Sequence, residues 1–229
     1  MKENNRIYKS IRNSTYAILG QIITIALNFI SRTIFIHTLG AIYLGINGLF
    51  TNILSVLSFA ELGFSTAIIY EMYAPLANND KKRVASLMNF YSKVYKYIGS
   101  SIFIIGIFLI PYLHFFIKDP SIIPANLPPL WIIFLLFLLN TSASYFFSYK
   151  RSIIVASQNS YIDSINQMEF NIIRNILQIS VLFFFKSFVS FLIIQLVCTF
   201  LSNVFISIKA NKLYPCLLYT SDAADDLTR

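Results

Sequence analysis

Three ionisable side chains interrupt long apolar segments of this 229-residue chain, namely Arg32, Glu61 and Arg174. A single charge at mid-bilayer costs about 2.5–3.5 kcal/mol on insertion scales, so a charge found there usually serves a function. The planar guanidinium of arginine can bind two phosphate oxygens at once. We therefore predict a hydrated cavity in which Arg32 and Arg174 meet an anionic substrate, while Glu61 balances charge or titrates with a coupling ion.

A purely structural interpretation stays open for each of the three residues. Arg32 lies five residues before His37 and can simply extend to the outer membrane interface. Glu61 can be a helix-packing carboxylate that neighbouring hydroxyl groups satisfy. Arg174 can belong to the basic residues that flank membrane segments, because it lies near one end of its apolar stretch.

The elements that must carry these residues are predicted to be membrane-spanning helices. Hydrophobic residues make up 56% of the chain and charged residues only 12%, about half the share of a typical soluble domain; mean hydropathy is +0.66. Crossing a bilayer takes about 20 mostly apolar residues. We expect an all-α membrane protein, a six-helix bundle with spans at Ser14–Ile36, Leu44–Tyr70, Val94–Ile117, Leu127–Ser148, Ile172–Phe185 (extended at its start) and Phe188–Ile208.

Polar residues recur at intervals of three or four in five of the spans, which places them on one helical face. Asn28 shares such a face with Arg32, and Gln178 with Arg174, so both amides join the predicted cavity. Small polar residues are also common contacts between membrane helices. The third span lacks this pattern and is predicted to lie at the periphery. The faces comprise Gln21, Thr24, Asn28 and Arg32; Thr51, Ser55, Ser58, Glu61 and Ser65; Asn140, Ser144 and Ser148; Asn171, Arg174, Asn175 and Gln178; and Gln195, Thr199, Ser202 and Asn203.

The basic residues between the spans fall mainly on one side of the membrane. Thirteen lie before span 1 or in the connectors after spans 2, 4 and 6, whereas the opposite side has only Lys118 and Lys186. The positive-inside rule then places the N-terminus in the cytoplasm. The net charge of +8 is spread among these connectors rather than along one face, which argues against nucleic-acid binding.

The sequence contains no motif for catalysis, metal binding or nucleotide binding. His37 and His114 are isolated, and Cys198 and Cys216 have no metal-site spacing. We therefore predict a transporter without a cofactor, and not an enzyme.

The chain divides into a basic N-terminal segment (1–13), the bundle (14–215) and an acidic tail (216–229). The apolar run from Ser14 is too long for a signal peptide and is predicted to stay as a signal anchor. The tail from Cys216 reads CLLYTSDAADDLTR and resembles a translated sequencing adapter. We therefore expect the native chain to have been interrupted near Pro215, the alternative being a genuine hydrophilic tail.

Three stretches, Leu39–Tyr95, Ser148–Ile162 and Lys209–Pro215, resemble the N-terminal half of polysaccharide-biosynthesis flippases in the multidrug/oligosaccharidyl-lipid/polysaccharide exporter superfamily. The resemblance implies a two-bundle, inverted-V transporter in the bacterial cytoplasmic membrane, of which this chain is one bundle. It implies undecaprenyl-diphosphate-linked oligosaccharide as the substrate and a basic central cavity, onto which Arg32 and Arg174 map. It also implies coupling to a Na⁺ or H⁺ gradient or to the membrane potential. A partner bundle, either C-terminal or a second copy of the chain, and membrane lipid are the other implied partners; alone, this half is expected to be inactive.

Two other functions remain open from the sequence. A cation-coupled multidrug exporter of the same superfamily would be expected to favour acidic and aromatic cavity residues. A membrane-embedded polysaccharide polymerase or acyltransferase would be expected to show a large outer loop or a clustered His/Asp pair.

Overall fold

The structure, a computed structural model, describes residues 2–61, 63–117, 124 and 127–215, and for residues 2–6 and 60 the backbone alone. The described residues form seven α-helices and no strand. Short 3₁₀ segments occupy Ser58–Glu61 and Ile110–Phe116. The helices are α1 (Lys2–Leu39), α2 (Ala41–Leu57), α3 (Phe64–Ala77), α4 (Lys81–Leu109), α5 (Leu130–Ala156), α6 (Tyr161–Phe185) and α7 (Phe188–Leu213).

Five of these helices are long and apolar enough to cross a membrane: α1, α4 with its 3₁₀ extension, α5, α6 and α7. Large apolar side chains such as Phe29, Phe108 and Phe183 are more than 70% exposed, as a lipid-facing surface requires. The chain is therefore an all-α, multi-pass membrane protein. Five predicted spans coincide with these helices, and the acidic tail lies outside the described residues.

The prediction of one continuous helix over Leu44–Tyr70 is wrong. The segment is interrupted by the 3₁₀ turn at Ser58–Glu61, and α3 begins only after Gly63. Gly63 has a φ of 90°, a left-handed conformation that glycine adopts without steric cost and that ends α-helical geometry. The α2 helix has 17 residues, so it is apolar but shorter than the other spans.

The helices pack in a ring of neighbours. Helix α1 contacts α6, α6 contacts α7, α7 contacts α5, and α2 bridges α1 and α5. Helix α4 lies outside this ring, mainly against α5 and α3. This is the peripheral position that the absence of a polar face in the third span predicts.

The four basic segments lie at one end of the bundle. Residues from the end of α3, the start of α4 and the ends of α5 and α7 form one apolar cluster there, including Met72, Met88, Ile154 and Ile206. Asn13 of α1 joins them, since its side chain donates to Gln158 O (3.0 Å) and accepts from Tyr161 N (3.1 Å). Lys186 joins α6 to α7 at the opposite end; Lys118 is outside the described residues.

Helices α4 and α5 approach closely at Gly99. A Cβ atom there would lie 3.1 Å from Tyr145 Cβ and 3.3 Å from Ser142 O, and both atoms are fixed by the backbone of α5. We expect Gly99→Leu to destabilise the bundle by about 1–3 kcal/mol through overpacking. Gly45→Leu is the control, because no atom lies within 4 Å of a Cβ at Gly45. Thermal unfolding in detergent measures both, and equal midpoints would contradict the prediction.

Candidate functional site

A cavity of about 540 Å³ lies among α1, α2, α6 and α7. Its apolar wall includes Phe35, Leu44 and Phe191. Cavities of this size commonly hold small ligands or ligand headgroups. The polar residues around it are Asn28, Ser31 and Arg32 from α1, Asn47, Thr51 and Asn52 from α2, Arg174, Asn175 and Gln178 from α6, and Gln195 from α7.

Four of the residues singled out in the sequence meet in this cavity. Asn28 and Arg32 are one helical turn apart on α1, and Arg174 and Gln178 are one turn apart on α6. Because α1 and α6 pack side by side, the two faces turn toward the same space. Arg174 lies in the middle of α6, which starts at Tyr161, so it does not belong to the flank of the span.

A chain of amide hydrogen bonds positions Arg174. Its Nη2 donates to Asn171 Oδ1, and Asn171 Nδ2 donates to Thr24 Oγ1 at 2.7 Å. Asn175 Nδ2 donates to the same Asn171 oxygen at 3.0 Å. Gln178 is buried and donates to Phe191 O at 3.2 Å. Asn171 therefore links the Arg174 guanidinium to α1, and Gln178 separately joins α6 to α7.

The cavity carries two positive charges that no carboxylate neutralises. Within the described residues, the one ion pair joins Arg151 to Asp163, and neither Arg32 nor Arg174 has an acidic partner. Arg32 is exposed and Arg174 is half-buried. Two unpaired guanidinium groups beside amide donors attract an anion, because a partly dehydrated site weakens the screening of charge.

The structure does not bring Glu61 into this cavity. Glu61 ends the 3₁₀ turn between α2 and α3, and its Oε1 accepts a hydrogen bond from Tyr95 Oη of α4 at 2.6 Å. These surroundings match the helix-packing alternative, in which hydroxyl groups satisfy the carboxylate. Glu61 therefore does not balance the two arginines by direct contact.

A second polar cluster, which the sequence did not single out, lies near the basic end of the bundle. Arg151 Nη1 lies 3.3 Å from Asp163 Oδ1, and Arg151 Nη2 donates to Asn203 Oδ1 at 2.8 Å. Asn166 is fully buried and donates to Ser202 Oγ at 2.9 Å. This cluster joins α5, α6 and α7. Ser202 and Asn203 thus serve this contact rather than the cavity, although their spacing in the sequence suggested a shared inner face.

The described residues include no group of three or more His, Cys, Asp or Glu side chains that could hold a metal ion. The fold and the cavity together define a multi-pass helical membrane protein with an arginine-containing polar cavity between its helices. No protein-family model, curated protein or solved structure matches the chain.

Proposed function

We propose that this chain is one bundle of a flippase that moves undecaprenyl-diphosphate-linked oligosaccharide across the bacterial cytoplasmic membrane for surface polysaccharide synthesis. The observation that carries the proposal is the meeting of Arg32 and Arg174 in one cavity without a carboxylate. A diphosphate is the anionic part of a lipid-linked sugar, and arginine binds such oxygens in pairs.

The surrounding amides suit the same ligand. Asn28, Asn47 and Gln195 can donate hydrogen bonds to phosphate or sugar oxygens, while Phe35 and Phe191 provide an apolar wall. The polyprenyl tail of the substrate then stays in the hydrocarbon of the bilayer. Because the tail is apolar, it needs no polar side chains of the protein to cross. A cation-coupled multidrug exporter, which would favour acidic cavity residues, is less well supported, because Glu61 lies outside the cavity and its lining residues include two arginines.

The topology that we propose has six crossings. Helices α2 and α3 together form the second crossing, since Tyr43 of α2 packs on Phe188 at the Lys186 end, whereas Met72 of α3 belongs to the cluster at the basic end. The positive-inside rule then places the basic end and the N-terminus in the cytoplasm. The cavity lies in the other half, because Arg32 and Gln195 lie close to the Lys186 end of their helices.

Export in this proposal requires a second bundle facing the first. Alternating access in secondary transporters arises when one bundle rocks against another around a central site. Either a C-terminal bundle or a second copy of this chain can supply that partner. A Na⁺ or H⁺ gradient supplies the energy.

Anion binding tests the proposal directly, with inorganic pyrophosphate as the probe. We expect Arg174→Ala to weaken pyrophosphate binding to the detergent-purified protein at least about tenfold, since a hydrogen bond to a charged group contributes about 1.5–3 kcal/mol. Isothermal titration calorimetry at constant ionic strength measures this affinity. Lys186→Ala is the control, because it removes a positive charge outside the cavity. Equal affinity in wild type and Arg174→Ala would contradict the anion site.

A further inference from the structure

The interruption between α2 and α3 places a carboxylate about midway along the proposed second crossing. Helix α2 contributes 17 residues before the interruption and α3 contributes 14 after it, and Glu61 is the last residue of the intervening 3₁₀ turn. Interrupted membrane helices commonly bind coupling ions at the break, where polar groups are available at mid-membrane depth. Glu61 lies at such a break, between α2 and α3.

The groups that face Glu61 are neutral hydroxyls from two neighbouring helices. Tyr95 of α4 is 2% exposed and donates to Glu61 Oε1 at 2.6 Å. The Tyr145 side chain of α5 interacts with both Glu61 and Ser58. Tyr91 of α4 is fully buried, stacks on Tyr95 with ring centroids 5.6 Å apart, and donates to Ser65 O at 3.0 Å at the start of α3.

Among the described residues, no positive side chain forms an ion pair with Glu61. The one ion pair found in the described part of the chain is Arg151–Asp163, near the basic end of the bundle. A lone carboxylate at mid-membrane depth is strongly disfavoured while it remains charged, so a single bound positive charge relieves the energy of burial. Carboxylate oxygens are hard ligands, which suit H⁺ or Na⁺ rather than a soft metal.

We propose that Glu61 is a monovalent-cation site of this protein, binding H⁺ or Na⁺ at the interruption between α2 and α3 and separate from the arginine cavity. The hydrogen bond from Tyr95 stabilises the empty, ionised carboxylate. A bound cation neutralises the carboxylate and so weakens its hydrogen bond with Tyr95. The 3₁₀ turn is then held less firmly against α4.

The same turn connects directly to the cavity. Helix α2 carries Asn47 and Thr51 in the cavity wall and ends at the turn that contains Glu61. A change in how this turn attaches to α4 therefore acts on one wall of the anion site. This link deepens the proposed export function and rests on it, whereas cation binding itself is measured without export or substrate.

Thermal unfolding of the protein in lipid nanodiscs tests cation binding. One arm replaces choline by Na⁺ at constant ionic strength and pH, and the other lowers the pH from about 8 to about 5 without Na⁺. We expect wild type to gain about 3–6 °C in at least one arm, as a ligand at about ten times its Kd would give. Glu61→Gln is expected to lose that gain, and Glu71→Gln, an exposed carboxylate of α3, to keep it.

The arm that shows the gain identifies the cation. Identical responses of wild type and Glu61→Gln in both arms would overturn the proposal, even if pyrophosphate binding at the arginines is confirmed. If Glu61→Gln does not fold, Tyr95→Phe decides: losing the hydrogen bond that stabilises the empty site makes cation binding about tenfold tighter. An unchanged half-saturating concentration in Tyr95→Phe would also overturn it.

Discussion

On the proposed flippase function, surface polysaccharide export falls at least about a hundredfold when Arg32 and Arg174 are both replaced by alanine. Each guanidinium would contribute about 1.5–3 kcal/mol to holding the diphosphate, and the two act on one ligand in one cavity. Export is measured as polysaccharide at the cell surface, in cells that depend on this protein and contain equal amounts of each variant in the membrane.

Two controls separate this effect from general damage to the bundle. Lys186→Ala removes a charge between α6 and α7 outside the cavity and should leave export near the wild-type level. Arg174→Lys keeps the charge but loses the planar pair of donors, so it should lie between wild type and Arg174→Ala. Unchanged export in both Arg32→Ala and Arg174→Ala would refute the role of the cavity arginines.

Five of the six spans that hydropathy predicted coincide with long apolar helices, because such a helix has few alternatives in a bilayer. Hydropathy missed the interruption in the second span because Leu44–Tyr70 is long enough and apolar enough on average to cross as one helix. The break depends on the left-handed backbone of Gly63 and on hydrogen bonds from Tyr91 and Tyr95 of α4. The hydrogen bonds are tertiary contacts, and the spacing of residues along one segment does not contain them.

Helical spacing was sufficient to select Asn28 with Arg32 and Gln178 with Arg174, since residues one turn apart share a face. Spacing does not reveal which helix covers that face. Asn203 lies on a polar face of α7 like that of Gln195, yet Asn203 binds Arg151, whereas Gln195 lines the cavity. The order in which helices pack around the ring decides between these outcomes, and this order is set by contacts between distant segments.

Arg151 is a second case in which the sequence does not reveal which helices a polar side chain contacts. In the sequence it is one of thirteen basic residues from which we predict the orientation in the membrane, and its neighbour Lys150 looks equivalent. In the structure Arg151 is paired with Asp163, and the two side chains are only 22% and 14% exposed. Its second nitrogen donates to Asn203, so one guanidinium joins three helices.

We expect Arg151→Met to destabilise the protein by about 3 kcal/mol and to lower its unfolding midpoint by about 6–12 °C. The change leaves the Asp163 carboxylate without its ion-pair partner and Asn203 without its donor. Lys150→Met is the matched control, since it removes the same charge from the adjacent position of α5 while sparing the network, and it should shift the midpoint by less than about 2 °C.

A double replacement isolates the cause of this loss. Arg151→Met combined with Asp163→Leu removes both charges, so it should recover most of the stability that Arg151→Met loses, because no uncompensated charge then remains between α5 and α6. Unfolding midpoints in detergent give the comparison, and the coupling between the two sites follows from the double-mutant cycle. A double variant as unstable as Arg151→Met would show that the hydrogen bond to Asn203, rather than the ion pair, holds the three helices together.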